Sequence, residues 1–332
     1  MKKFLIATTA LVATAGASYA DVSVSGDGRM GVVFDGEDWN MSSRVRGKLT
    51  LSGETDGGVT FGGSFDIHNA AKAAEGTSGH IFASGAFGKL SMGDVDGAAK
   101  AAVGNVSAVG YTLLNETNKN LFINAGTDVD GDGTDDTIYP VPSALYEYST
   151  GALTIYAGIG QIGGTSYSGT INTATGTATG VLSFGQSYSL GVKYVVSGFT
   201  LSAGYEATQD AALATGTAGT GTEISIGTLS GVHLGADWTN GALTLKGRAG
   251  LLDLGDNLGD AHQWAVSADY AFGATTVTGY YRWINADWAA DTAWAYGLGA
   301  AYDLGGGAAI KGGIEKTSAS KTIADLGMTF SF

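Results

Sequence analysis

"KTIADLGMTFSF" (Lys321–Phe332) splits into two sets when every second residue is read. Thr322, Ala324, Leu326, Met328, Phe330 and Phe332 form a mostly apolar set, and Lys321, Asp325, Gly327, Thr329 and Ser331 a small or polar one. A period of two is the signature of a strand with one apolar and one polar face. The last residue is an aromatic ring, which predicts a closing strand whose outer face meets lipid and whose final Phe sits at a membrane interface.

The same pattern recurs upstream. Leu153, Ile155, Ala157 and Ile159 alternate with Thr154, Tyr156, Gly158 and Gly160, and Tyr188, Leu190, Val192 and Tyr194 alternate with Ser189, Gly191 and Lys193. Trp264, Val266, Ala268, Tyr270 and Phe272 form a third apolar set, and Trp294, Tyr296, Leu298, Ala300 and Tyr302 a fourth. These segments outrun the five or six residues usual in globular strands. Aromatic residues gather near their ends, as an interfacial girdle requires. Asp56-Gly57, Asn240-Gly241, Ser149-Thr150-Gly151 and Ser197-Gly198 read as tight hairpin turns.

Sixteen segments are expected: 22–34, 40–54, 58–69, 78–86, 88–94, 142–149, 152–162, 185–196, 199–208, 223–239, 241–253, 261–272, 274–284, 292–303, 308–317 and 321–332. The stretch 223–239 is expected to break at Gly227–Gly231. The predicted fold is all-β, a sixteen-stranded antiparallel transmembrane β-barrel. In hydrocarbon every backbone N–H and C=O must be paired within the protein, and a closed ring does this with no open edge. A barrel of this size is too wide for side chains to fill, so its interior holds water.

Composition agrees. The 332 residues include 55 Gly and 2 Pro without a collagen repeat, no Cys, and only 14% charged residues against about 25% in soluble domains. "MKKFLIATTALVATAGASYA" (1–20) has Lys2 and Lys3, an apolar run and the small-residue end Ser18-Tyr19-Ala20, so it reads as a signal peptide cut after Ala20. The mature domain is then 21–332. Loss of the two lysines would take the formal charge from −14 to −16. Neither a GxSxG elbow nor an HExxH pair is present, and the four histidines His68, His80, His233 and His262 form no close metal pair in the sequence. The 17 Lys and Arg are dispersed along strands, which gives no nucleic-acid footprint.

The longest connection runs over 95–141, far beyond ordinary loop length. The Ala-rich 97–105 within it reads as a short helix or as coil. "GKLSMGDVDGA" (88–98), a strand ending in Gly-Asp before that long loop, together with the leader, the sixteen segments and the terminal Phe, resembles the general porins of Gram-negative outer membranes. The alphaproteobacterial branch, including photosynthetic bacteria, is the most similar. The resemblance implies a long third loop folded into the pore, a homotrimer of separate pores, contact with outer-membrane lipid and lipopolysaccharide, and a location in the outer membrane. It also implies passive diffusion of ions and small hydrophilic solutes, with no reaction and no required cofactor.

In that family, basic wall residues face acidic loop residues. Arg29, Arg44, Arg46 and Lys48 lie on the polar phase and are the expected basic wall, with Val45, Gly47 and Leu49 on the other phase. An Arg or Lys turned to lipid costs about 2–4 kcal/mol at midplane, which directs these groups inward. Asp94, Asp96 and Glu116 are the acidic candidates on the loop. Lys193, Lys246, Arg248, Arg282, Lys311, Glu206, Asp237 and Glu315 also fall on the inward phase. The excess of acid predicts weak cation selectivity.

"DVDGDGTDD" (Asp128–Asp136) sets Asp128, Asp130, Asp132 and Asp136 at positions 1, 3, 5 and 9 of a calcium loop, with Gly133 at the sharp turn and the Thr134 carbonyl at position 7. Position 12 is Tyr139 rather than Glu, so a weak structural Ca²⁺ site stands beside a solvated acidic loop as the two readings. A substrate-selective channel for sugar or phosphate, a lipase-type barrel and a structural or adhesive barrel are the rivals for the whole chain.

Overall fold

The computed structural model describes residues 21–74, 78–123, 143–160, 165–173, 176–215, 222–255, 259–287 and 289–332. The expected signal peptide (1–20), the calcium-loop residues Asp128, Asp130, Asp132, Thr134 and Asp136, and the later part of 95–141 lie outside the described residues.

The strands are β1 (Asp21–Phe34), β2 (Trp39–Glu54), β3 (Thr60–Asp66), β4 (His80–Gly85), β5 (Gly88–Gly93), β6 (Ser143–Thr150), β7 (Leu153–Gly160), β8 (Thr165–Thr173), β9 (Gly176–Phe184), β10 (Ser187–Val196), β11 (Phe199–Thr215), β12 (Thr222–Asn240), β13 (Leu243–Asp253), β14 (Asp260–Phe272), β15 (Thr275–Ala286), β16 (Ala293–Gly305), β17 (Ala308–Thr317) and β18 (Thr322–Ser331). Two short helices, α1 (Ala70–Ala74) and α2 (Ala98–Val103), lie in connections.

Sixteen of these strands form a closed antiparallel ring. β7 pairs directly with β10, from Gly160↔Ser187 to Leu153↔Tyr194, so β8 and β9 stand outside the ring. β18 pairs with β1, from Asp27↔Ser331 to Phe34↔Ala324. Gly26 and Phe332 exchange backbone hydrogen bonds of 3.1 and 2.9 Å, which carries the seam to the last residue. The strand expected from Lys321–Phe332 is therefore the closing one.

Three expectations are corrected. The stretch 163–184, expected as a connection between the segments 152–162 and 185–196, contains the hairpin β8–β9. Beyond the rim β11 would offer an unpaired edge, and β9 covers it through Ala212↔Ser183 to Thr215↔Gly180. The stretch 223–239 is not broken: β12 is one strand, and the irregularity is a register shift against β11 between Thr208 and Ala212. Asp210 (φ 51) and Gly227 (φ 86) take left-handed backbone there. Asp56-Gly57 also differs from a two-residue turn. Thr55 caps a longer connection, with bonds to Gly58 and Val59.

The alternation sorts the wall as the sequence predicts. On the apolar phase Val45 is 77%, Leu298 59% and Leu326 57% exposed, whereas Asp325 on the other phase is 4% exposed. Rings on the apolar phase cluster near both ends of the strands. Trp264 stacks on Tyr281 and Trp294 on Tyr296 towards one rim, with Tyr270 beside Phe272 at the other. Trp264 and Phe272 are separated by about 26 Å along β14, matching the ~25 Å apolar band of outer-membrane barrels.

Candidate functional site

The basic residues are gathered by strand register. Arg29 on β1 lies opposite Arg44 on β2, and Asp27 lies opposite Arg46. Like charges directly opposed on paired strands are destabilising. Asp27 relieves part of this: Arg46 Nε donates to its Oδ2 at 2.9 Å, and Arg44 Nη2 to its Oδ1 at 3.3 Å. Among the described residues Arg29 Nη1 reaches only the Thr112 carbonyl, at 3.4 Å. With Lys311 of β17, these side chains line a cavity of about 700 Å³ closed on its other side by Tyr111, Thr112, Leu113 and Glu116 of the long connection.

The expected site residues are therefore only partly brought together. Arg29, Arg44, Arg46 and Glu116 share the cavity. Lys48 is not among its lining residues; it pairs in register with Asp66 on β3. Asp96 forms an i,i+4 ion pair with Lys100 at 2.9 Å and is half-exposed. Asp94 follows β5, its backbone N–H bonded to the Gly79 carbonyl at 2.7 Å. Asp27 and Lys311 complete the cluster. Asp27 was legible as a same-phase neighbour two residues before Arg29, but its pairing with β2 depends on register.

The connection is fastened to the polar phase of strands around most of the ring. The Ala98 N–H donates to Ser189 Oγ on β10 at 2.8 Å. Ser107 Oγ donates to Asp269 on β14 at 2.7 Å. The Thr112 N–H and hydroxyl donate to Asp325 on β18 at 2.7 and 2.6 Å. Thr117 meets the Tyr280 hydroxyl on β15 at 2.7 Å, and Tyr280 in turn bonds Glu315 on β17. Gln263 on β14 makes two 2.7 Å bonds to the Leu121 backbone. The Ile123 N–H donates to Glu206 on β11 at 2.6 Å; Glu206 also pairs with His233 on β12, and the Phe122 ring packs 4.4 Å from that imidazole.

Helix α2 is seated the same way. It buries Ala98, Ala99, Ala102 and Val103. The wall beneath is glycine because no side chain fits: a Cβ at Gly191 would lie 2.3 Å from the Ala98 oxygen, and one at Gly204 would lie 2.7 Å from Ala99 Cα. Lys193 and Arg248 donate to the carbonyls of Ala101 and Gly104 at 3.4 and 3.3 Å. Cations at the carbonyl end of a helix are favourable. Several wall charges thus hold the connection in place. At its far turn Leu113, Leu114 and Glu116 have φ of 66, 42 and 54°, left-handed values rare outside glycine. Buried Leu114 packs with Val106, Val109 and Ile323, which fixes that turn.

Residues 7–322 match the family model described as Gram-negative porin. The chain belongs to that family. It is 36% identical over 324 residues to a porin of Rhodobacter capsulatus, an alignment spanning 94% of this chain and all of the relative. A porin of Fuscovulum blasticum is 26% identical over the same length. Among solved structures, a porin refined at 1.8 Å resolution superposes with a TM-score of 0.73 at 33% identity, covering 94% of this chain and all of that one. A mutant of the Rh. blastica porin, 24% identical with a TM-score of 0.58 over the same shares, repeats the fold alone.

The porin is thus a closed outer-membrane-type barrel around a water-filled diffusion channel. Among the described residues no group of three His, Cys, Asp or Glu is placed to hold a metal.

Proposed function

We propose that this porin is a general diffusion channel whose narrowest passage lies between the basic wall of Arg29, Arg44 and Arg46 and the turn carrying Glu116. One observation carries the reading. A single connection makes contact with the polar phase of strands around most of a closed ring, as a segment lying within it would. Opposed charges across such a passage set up a transverse field that orders water and passes small polar solutes. The acid excess of the chain favours cations at the mouths, so the channel is weakly cation-selective. The reversal potential across planar bilayers in a KCl gradient tests this: a sign favouring potassium supports it, and one favouring chloride overturns it.

The family likeness and the apolar outer wall support a homotrimer in contact with outer-membrane lipid and lipopolysaccharide, formed after removal of residues 1–20. Conductance steps in threes are the expected record. The spacing of Asp128, Asp130, Asp132 and Asp136 supports a weak calcium site; equal calcium heats for the wild type and the Asp130→Ala, Asp132→Ala double variant would remove it.

A further inference from the structure

We infer that the cavity beside β1, β2 and β17 is a binding subsite for a small dianionic solute carrying oxyanion groups, a phosphate or a dicarboxylate. The inference rests on the constriction reading above and adds a solute class to it.

The argument begins with charge. Four cationic side chains, Arg29, Arg44, Arg46 and Lys311, line the cavity with two carboxylates, Asp27 and Glu116. Asp27 already accepts from two arginines. Glu116 is also engaged by Lys119 on its own turn. Among the described residues, Arg29 and Lys311 have no carboxylate within ion-pair distance, and the Arg29 guanidinium makes one long bond, to the Thr112 carbonyl at 3.4 Å. The Nε atoms of Arg29 and Arg44 are buried without an acceptor. Such a cluster is short of acceptors by about two charges, which a dianion supplies.

Geometry points the same way. Gly31 and Gly327 lie on the strands between Ser42 and Lys311, so the wall itself raises no side chain there. The Tyr111 ring occupies the floor: a Cβ on Gly31 would fall 2.9 Å from it. The ring takes up the space over the glycines, and the open volume beside it is lined by the cation heads. Guanidinium groups present paired N–H donors that match carboxylate or phosphate oxygens, and Lys311 adds a point charge. A cavity of about 700 Å³ is within the usual range for small-molecule sites. A local cationic subsite inside an acid-rich channel retards dianions without reversing the selectivity set at the mouths.

The test is calorimetric titration of the detergent-solubilised porin with inorganic phosphate and, separately, with succinate. Saturable binding is expected for at least one, and the arm that binds identifies the group recognised. Arg29→Gln and Lys311→Gln each weaken it by about tenfold or more, as loss of a charged hydrogen bond does. Lys246→Gln removes an equal wall charge on β13, away from the cavity, and leaves binding unchanged. In bilayers the bound probe lowers KCl conductance with the same half-saturation. No saturable heat from either probe, or equal binding by the Lys311→Gln protein, overturns the subsite. The KCl conductance of the probe-free channel is read separately, so failure of the channel reading is distinguished from failure of the subsite.

Discussion

At the scale of single residues, Asp27 organises the basic wall. Its two oxygens hold Arg44 and Arg46 at 3.3 and 2.9 Å and keep facing cations from repelling. Asp27→Asn removes that compensation, and the reversal potential in a KCl gradient is expected to move towards chloride; an unchanged potential would show that the mouths alone set selectivity. Asp35, in the turn after β1, offers a pH test outside the membrane-spanning segments. The N–H groups of Asp38 and Glu37 donate to its carboxylate at 3.0 Å each and hold its pKa below the ordinary carboxylate value. The contribution of this carboxylate to the turn is present above the ordinary pKa and is lost as pH falls through the depressed one. An NMR titration of the Asp38 amide is expected to show a midpoint below about 3.9; a midpoint above it contradicts the capped turn. The phase of Asp27, Arg29, Arg44 and Arg46 was legible in the sequence because alternation is local. Which acid meets which arginine was not, because that follows from the register of β1 on β2.

At the scale of elements, the connection between β5 and β6 is held by wall carboxylates and seated on wall glycines. A leucine at Gly191 has no room beneath α2, since even its Cβ meets the Ala98 oxygen at 2.3 Å. Gly191→Leu is expected to lift the helix, lower conductance and expose 95–105 to protease, while the barrel remains folded; a protease-resistant variant of normal conductance contradicts the seating. Asp325→Ala removes the one oxygen, Oδ2, that accepts both Thr112 bonds, a loss of about 1.5–3 kcal/mol for each charged bond at the buried limit. Larger current fluctuations are expected from a loosened turn at 111–117, and a quiet channel contradicts the anchor. The sequence disclosed the length of this connection and its place between the fifth and sixth strands. The anchors Asp325, Gln263 and Glu206 were hidden by distance, for each meets its partner across 83 to 213 residues. Hairpin β8–β9 was missed for a related reason: it completes the edge of β11, a demand set by the neighbouring strand and not by its own composition.

At the scale of the whole molecule, one arrangement explains the glycine-rich, charge-poor composition and the exposed rings. Sixteen strands close on themselves through β18 and β1, neighbouring strands pair backbone to backbone round the wall, and large apolar side chains such as Leu190 at 59% and Val45 at 77% exposure face outward. In water that surface would drive aggregation; in a bilayer it is the matching surface. Closure was legible in outline because period-two alternation over many segments leaves few other solutions. The central claim, that alternate residues meet lipid and water, is tested most directly by single-cysteine labelling, which the absence of native cysteine makes clean. Cysteines placed at Val45, Leu190, Leu298, Lys48, Lys246 and Thr329 would be exposed to a membrane-impermeant maleimide in reconstituted vesicles. The account predicts rapid labelling at Lys48, Lys246 and Thr329 and protection at Val45, Leu190 and Leu298. Equal labelling of the two sets, or the reverse pattern, would contradict it.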